Sequence, residues 1–318
     1  MWIAHDYRTA KCVGDTAIAI GNFDGVHRGH RALLELARRE AAALGLSPVA
    51  LTFEPHPTRV LAPDRSPPRI TGADYRLELF AQLGIDGVVV QGFDRGFASM
   101  TPEHFAREVL LGLRAKVVVV GENFHFGKDR AGDGEVLKSL GKILGFRVEV
   151  LPIIRDGEEI LSSSMVRQAL ASGEIDRASR ILGRLADFDG RVVQGDGRGR
   201  SIGFATANLR TDVEALPADG VYAVRVRVLS RGAQTYDAVM NLGVRPTFAA
   251  GRSIEVHLFD FDQSLYGQLL RVQCVERLRD ERRFANVGEL VEQIARDITA
   301  ARESLARHPR SPDAENRP

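Results

Sequence analysis

Two histidines three residues apart, His27 and His30, close the run GNFDGVHRGH (21–30). At that spacing they share one face of a first helical turn. Imidazoles placed there can donate to phosphate oxygens as charge builds in a transition state. Gly21 and Gly25 let the backbone turn tightly and let phosphates come close. A helix cap with surface histidines and a metal pair are the competing readings. A helical metal pair ordinarily needs i, i+4 spacing and a third ligand, and neither is present. The chain has no G-x-x-x-x-G-K-[ST] and no G-x-G-x-x-G opening a helix after a strand, which argues against a P-loop NTPase and a dinucleotide dehydrogenase. In LSSSMVRQAL (161–170), Ser163 and Ser164 precede a helix with Arg167 in its first turn; a plain serine cap explains the serines equally well.

A second set lies in GRVVQGDGRGRSIGFATANL (190–209), where Gly195, Gly197, Gly199 and Gly203 surround Arg200. Such glycines can expose consecutive N–H groups as an anion nest, although glycine-rich turns are common. Thr206 and Asn208 alternate with Ala205 and Ala207, so both polar side chains face one way on an extended segment. A hydroxyl and an amide oxygen suit Mg²⁺; they suit a turn cap as well. Glu255 interrupts an apolar strand, SIEVHLFDF, and shares a face with Ser253 and His257 by alternation. That face is either solvated or functional.

The elements that must hold these residues read in two styles. In the first half, apolar strands at 16–23, 48–53, 87–93, 116–124 and 146–154 alternate with helices at 27–45, 74–84, 101–114 and 135–145. Two short helices, SSMVRQALASG and IDRASRILG, follow. This alternation predicts a parallel sheet with helices on its faces. Beyond Gly183 come strands at 190–195, 220–229, 235–243, 253–261 and 269–278, separated by turn signals, and one helix at 287–306. That pattern predicts a small antiparallel barrel with a C-terminal helix. The expected fold class is therefore α/β plus β, with domains at 1–184 and 185–308 and a disordered tail at 309–318.

Composition agrees with a two-domain globular chain. It has 318 residues, 44% hydrophobic and 27% charged, with 43 basic against 42 acidic residues. The balance offers no duplex-binding surplus. Cys12 and Cys274 are too far apart in the chain for a disulfide scaffold and suit a reducing compartment. No apolar run approaches a membrane span, and the first residues lack a signal-peptide core. A cytoplasmic protein is expected.

GNFDGVHRGH, TFEPHP (52–57), VVVGENFHFGKDRAGD (117–132) and LSSSMVR together resemble the N-terminal half of the prokaryotic bifunctional riboflavin kinase/FAD synthetase family. Within the nucleotidyltransferase superfamily this implies a Rossmann-like domain that transfers AMP from ATP to FMN, giving FAD and pyrophosphate. The resemblance implies that His27, His30 and Arg167 act on the ATP phosphates, with Ser163 and Ser164 beside them. Gly21, Asn22, Phe23, Asp24, Gly25, Pro55 and Pro57 would line the nucleotide site, and Asn123, Phe124 and Asp129 the flavin and metal side. The second half resembles the kinase domain of that family, through its glycine-rich loop, the segment at 205–208, NLGVRPTF (241–248), the Glu-x-His strand and LRDERRF (278–284). This implies ATP-dependent phosphorylation of riboflavin to FMN. Thr206 and Asn208 would hold Mg²⁺–ATP, and Glu255 would be the general base. Gly197, Gly199, Arg200, Gly203, Asn241 and Arg245 would lie near the nucleotide, and Arg279 and Glu281 near the flavin. The partners implied are ATP, riboflavin, FMN and FAD, with no nucleic acid and no membrane; a transient homo-oligomer stays open.

Three departures stand out: Glu54 for a common Asp, Asn123 for a common Asp, and Ala205 for the family's proline. Alanine keeps both proposed ligands but not the pre-set backbone, so a looser loop and a higher KM for ATP are expected. Adenylyl transfer alone, or a flavin sensor without turnover, are the alternatives; intact His27, His30, Arg167 and Glu255 argue against the sensor.

Overall fold

The computed structural model describes residues 1–195, 203–232, 234–244 and 252–309. It divides into two compact units, one of residues 1–67 with 73–162 and one of residues 68–72 with 163 onward.

In the first unit, β1 (Trp2–Ala4), β2 (Thr16–Ile20), β3 (Ser47–Glu54), β4 (Gly87–Gly92), β5 (Ala115–Gly121) and β6 (Arg147–Leu151) form one sheet. Its order is β1-β4-β3-β2-β5-β6, and every pairing is parallel. The continuously apolar strands follow from burial on both faces. Ala17 and Ala19 face a layer holding Leu33, Leu34, Ala37 and Phe80, whereas Ile18 and Ile20 face one holding Phe105, Leu110, Leu113 and Leu137. From β2 the chain winds through β3 and β4 to one side and through β5 and β6 to the other. The carboxyl end of β2 is thus the topological switch point, where open α/β sheets bind ligands.

The covering helices are α1 (Arg28–Leu44), α2 (Pro57–Leu61), α3 (Ala73–Gln82), α4 (Arg95–Ala98), α5 (Pro102–Phe105) and α6 (Gly134–Leu144). α1 and α6 stop at Gly45 and Gly145, both left-handed (φ 67° and 84°). The helix predicted over 101–114 opens with a Thr101 cap and Pro102 at its first position, but turns π-helical over Ala106–Leu110. The segment predicted as a strand to 154 leaves the sheet after Leu151 and makes a small hairpin, β7 (Arg155–Asp156) with β8 (Glu159–Ile160). β1, only three residues long, is too short to show a strand pattern in the sequence.

The second unit begins with α7 (Ser163–Ala171) and α8 (Ile175–Leu182). A closed antiparallel barrel follows, from β9 (Ala186–Val193), β10 (Ala207–Arg210), β11 (Gly220–Val228), β12 (Thr235–Val244), β13 (Arg252–Leu258) and β14 (Leu269–Arg279). The strands close in the order β10-β13-β12-β11-β14-β9, so that each strand has a neighbour on both sides. Tyr222, Val224, Met240, Leu242, Val256 and Val272 fill the interior. α9 (Val287–Arg307) packs outside, where Ala301 and Leu305 meet Val221, Ala223, Val239 and Val275. Residues from 310 onward lie outside the described residues.

Candidate active sites

In the first unit the residues 21–27 leave β2 and enter α1. Phe23 (φ 51°), Gly25 (φ 90°) and Val26 (φ 40°) all adopt left-handed backbone, a concentration of strain typical of ligand clamps. The packing holds it, since Phe23, Asp24, Val26 and His27 are all buried. Gly21 lacks a Cβ because the Phe23 ring occupies that space, at 3.2 Å.

His27 is the N-cap of α1. Its Nδ1 accepts from the Gly29 and His30 amides, at 3.1 and 3.4 Å. An accepting Nδ1 carries no proton, so the ring proton of neutral His27 sits on Nε2 as a donor. The His30 ring stacks on it at 3.7 Å with 23° between planes, and Phe23 meets His30 edge-on at 5.3 Å. Gly29 fits because a Cβ there would stand 3.0 Å from the His27 ring and 3.3 Å from the Leu161 carbonyl.

Sequence reasoning missed the residues that brace this loop. Arg76, buried in α3, donates to the Asn22 carbonyl at 3.3 Å and to the Glu54 carboxylate at 3.1 Å. Thr52 Oγ donates to the same carbonyl, and the Asn22 amide lies 3.2 Å from His56 Nε2. Pro55 follows β3 through a cis peptide, and Pro57 opens α2. The signal for Arg76 was present, as it shares the buried face of α3 with Tyr75, Leu79 and Phe80.

At the carboxyl ends of β3 and β4, Phe53, Phe93 and Phe97 meet one another at 5.8–5.9 Å. Contacts continue through Phe105 and Phe126 to Phe124, which stacks on Phe126 at 5.4 Å and 14°. Phe53, Phe93, Phe97 and Phe124 are half-buried, so these rings offer an aromatic platform at the carboxyl side of the sheet. Asn123 is exposed beside it, its carbonyl 3.0 Å from His125 Nδ1. Asp129 is also exposed, with a left-handed φ of 54°.

Ser163, Ser164 and Arg167 belong to the second unit, in the first turns of α7, where Arg167 Nε donates to the Pro68 carbonyl at 2.7 Å.

In the barrel, register joins residues that sequence left separate. Glu255 on β13 is the partner of Asn208 on β10 and, on its other side, of Asn241 on β12. Directly opposed side chains across a ladder are neighbours. Ile254 and Val256 point inward, so Glu255 lies on the outer face with Ser253 and His257. Ser253 Oγ donates to the Glu255 carboxylate at 3.2 Å. The Glu281 carboxylate lies over Gly243, where a Cβ would run into it, and Gly243 is the partner of Ser253. The Gly195 backbone likewise lies against the Asn208 amide. Thr206 is half-buried and Gly203, left-handed at φ 91°, is exposed. Arg279 is turned to α9, where Asp297 accepts from its Nε and Nη2 at 2.9 and 2.6 Å. Gly197, Gly199, Arg200 and Arg245 lie outside the described residues.

The Thr206 hydroxyl and the Asn208 amide oxygen are hard-oxygen donors of the kind Mg²⁺ accepts, and the register sets Asn208 beside the Glu255 carboxylate. Two candidate sites are thus on the chain: a strained loop and histidine pair at a switch point, and a carboxylate between two asparagines on a barrel.

The FAD synthetase family profile matches residues 9–165, and the riboflavin kinase profile residues 182–305. The chain is 42% identical over 288 residues to the bifunctional riboflavin kinase/FMN adenylyltransferase of Escherichia coli (strain K12), covering 90% of this chain and 91% of that one. It is 37% identical over 290 residues to the enzyme of the same name from Bacillus subtilis (strain 168), covering 89% and 90%. A Streptococcus pneumoniae crystal structure described as a macrolide-efflux protein superposes with TM-score 0.84 at 31% identity, over 94% of this chain and 98% of that one. Among the described residues no helix is long and apolar enough to cross a membrane. The chain belongs to the bifunctional riboflavin kinase/FMN adenylyltransferase family. It phosphorylates riboflavin and adenylylates FMN, with ATP, riboflavin, FMN and FAD as its substrates and products.

Proposed function

We propose that the two reactions divide as follows, with domain limits at 184/185 and 308 and with the work done in the cytoplasm. Riboflavin phosphorylation centres on Glu255, and the observation that carries this is the Asn208–Glu255–Asn241 register. Glu255 takes the proton from the riboflavin 5′-hydroxyl. The freed oxygen bonds to the γ-phosphorus as the bond to the ADP oxygen breaks. Thr206 and Asn208 would hold Mg²⁺, which when bound neutralises charge on the transferring phosphates. Asn241 orients the nucleotide, and Glu281, set over Gly243, faces the flavin side.

AMP transfer uses the loop after β2. An FMN phosphate oxygen bonds to the α-phosphorus of ATP, and the bond to the departing pyrophosphate breaks. That nucleophile is already ionised, so positioning and electrostatics carry the step. The Nε2–H of His27 and the stacked His30 ring stabilise charge on the phosphates. Ser163, Ser164 and Arg167 bind the β- and γ-phosphates. The half-buried phenylalanines with Asn123 receive the flavin ring, whose faces favour offset aromatic contacts. Asp129 stands on the metal side.

Chromatography of flavins from riboflavin, ATP and Mg²⁺ tests the reading: FMN accumulates first and FAD later. FAD formed only when FMN is supplied would remove the kinase assignment. Flavin bound without any product would remove both.

A further inference from the structure

The segment before β10 is held by a residue that takes no part in the proposed proton transfer or metal binding. His257 Nδ1 lies 2.8 Å from the Ala205 carbonyl. A carbonyl only accepts, so His257 donates through Nδ1–H. Its ring is met edge-on by Phe204 at 6.0 Å and by Phe259 at 5.9 Å. Phe259 is in turn covered by the Arg302 guanidinium of α9, at 4.6 Å from the ring centre. The imidazole therefore rests on a fixed support. The register that pairs Asn208 with Glu255 and Ala207 with Val256, continued by one residue, sets Thr206 opposite His257.

We propose that His257 is a positioning residue for riboflavin phosphorylation. By fixing the Ala205 carbonyl it sets Thr206 and Asn208 level with Glu255. One strand then carries both the base and the strut that spaces the nucleotide-binding segment from it. The inference rests on the assignment of Thr206 and Asn208 to Mg²⁺–ATP. It also revises the expectation drawn from Ala205: what proline would restrict through φ, this chain restrains through a side-chain hydrogen bond.

The test uses the full chain with His257→Ala, His257→Phe, Ala205→Pro, the His257→Ala/Ala205→Pro double variant and Thr206→Ala. His257→Phe keeps an aromatic ring between Phe204 and Phe259 but removes the donor. Loss of one such hydrogen bond is expected to raise the kinase KM for ATP about tenfold in both His257 variants, with kcat within about threefold. FMN adenylylation stays at its original rate. In nucleotide-free protein, amide hydrogen exchange over 203–207 speeds up in both variants. In the double variant the added proline recovers both exchange protection and KM. A fall in kcat at unchanged KM would place His257 in the chemistry and overturn the proposal. Unchanged exchange, or no recovery by proline, would overturn it too. Thr206→Ala keeps the two levels apart: if ATP dependence survives that change, the assignment of the site itself has failed. If Thr206→Ala raises KM and the His257 variants do not, only the strut is lost.

Discussion

His27 uses the two nitrogens of one ring for different work: Nδ1 closes the helix and Nε2 carries the proton. The two roles separate by substitution. Asn is among the best N-caps, so His27→Asn is expected to leave the melting temperature within about a degree while adenylyl transfer falls about a hundredfold. His27→Ala loses both, with about 1 kcal/mol of stability gone. Thermal unfolding beside FMN turnover distinguishes them; equal turnover in the His27→Asn variant and the native protein would remove His27 from the chemistry. Gly29→Ala pushes a methyl against the His27 ring. It is expected to cut FMN adenylylation at least tenfold through ring misplacement, with riboflavin phosphorylation unaffected. The motif residues were legible because glycine and histidine at fixed spacing say what the backbone must do. The bracing roles of Arg76, His56 and His257 were not, although the burial of Arg76 was. Those roles depend on which polar group lies beside each of them, and no one-dimensional spacing reports that.

Elements were more legible than their junctions. The apolar runs of β2, β3, β4 and β5 are strands because both faces are buried, and glycine marks the ends of α1 and α6. The register that places Glu255 between Asn208 and Asn241 could not be read, since it follows from barrel closure and not from any single strand. Closure also pairs Arg271 of β14 with Asp189 of β9. The contact is bidentate at 2.7 and 2.8 Å, with the two side chains only 4% and 16% exposed. Asp189→Ala removes both of these hydrogen bonds from a buried guanidinium and is expected to cost about 3–5 kcal/mol. Replacing both partners, as Asp189→Leu with Arg271→Met, is expected to recover most of that. Denaturant melts of both variants check it, and a single variant as stable as the parent would refute it. Acid acts on other junctions. The Asp6 carboxyl is held down to about 2 mainly by its hydrogen bond from Arg8, and Asp133, the cap of α6, is lowered mainly by the Val136 amide. A carboxyl depressed on folding stabilises the fold above its unfolded value, near 3.9, and loses that contribution as pH falls toward its folded value. The melting temperature is therefore expected to drop between about pH 4 and 2. The drop should be shallower in Asp133→Asn; identical slopes would discount the cap.

For the molecule as a whole, two centres on one chain make each an internal control for the other. Glu255→Gln is expected to lower riboflavin phosphorylation by about 10² to 10⁴ while FMN supplied from outside is still converted to FAD. Parallel losses would mean that the substitution damages the whole chain. The division into units carries one further consequence. The backbone visits the second unit at Pro68–Gly72, ninety residues before it enters for good at Ser163. There the Arg69 carbonyl accepts from the Glu214 and Ala215 amides, both at 2.9 Å, and the Arg69 amide donates to the Glu214 carboxylate. A gene fragment starting at codon 163 would encode a barrel unit missing those partners, and its complement would carry an orphaned five-residue stretch. Recombination with a single crossover therefore cannot exchange either unit whole, and swapping one between relatives requires the short segment to travel with it.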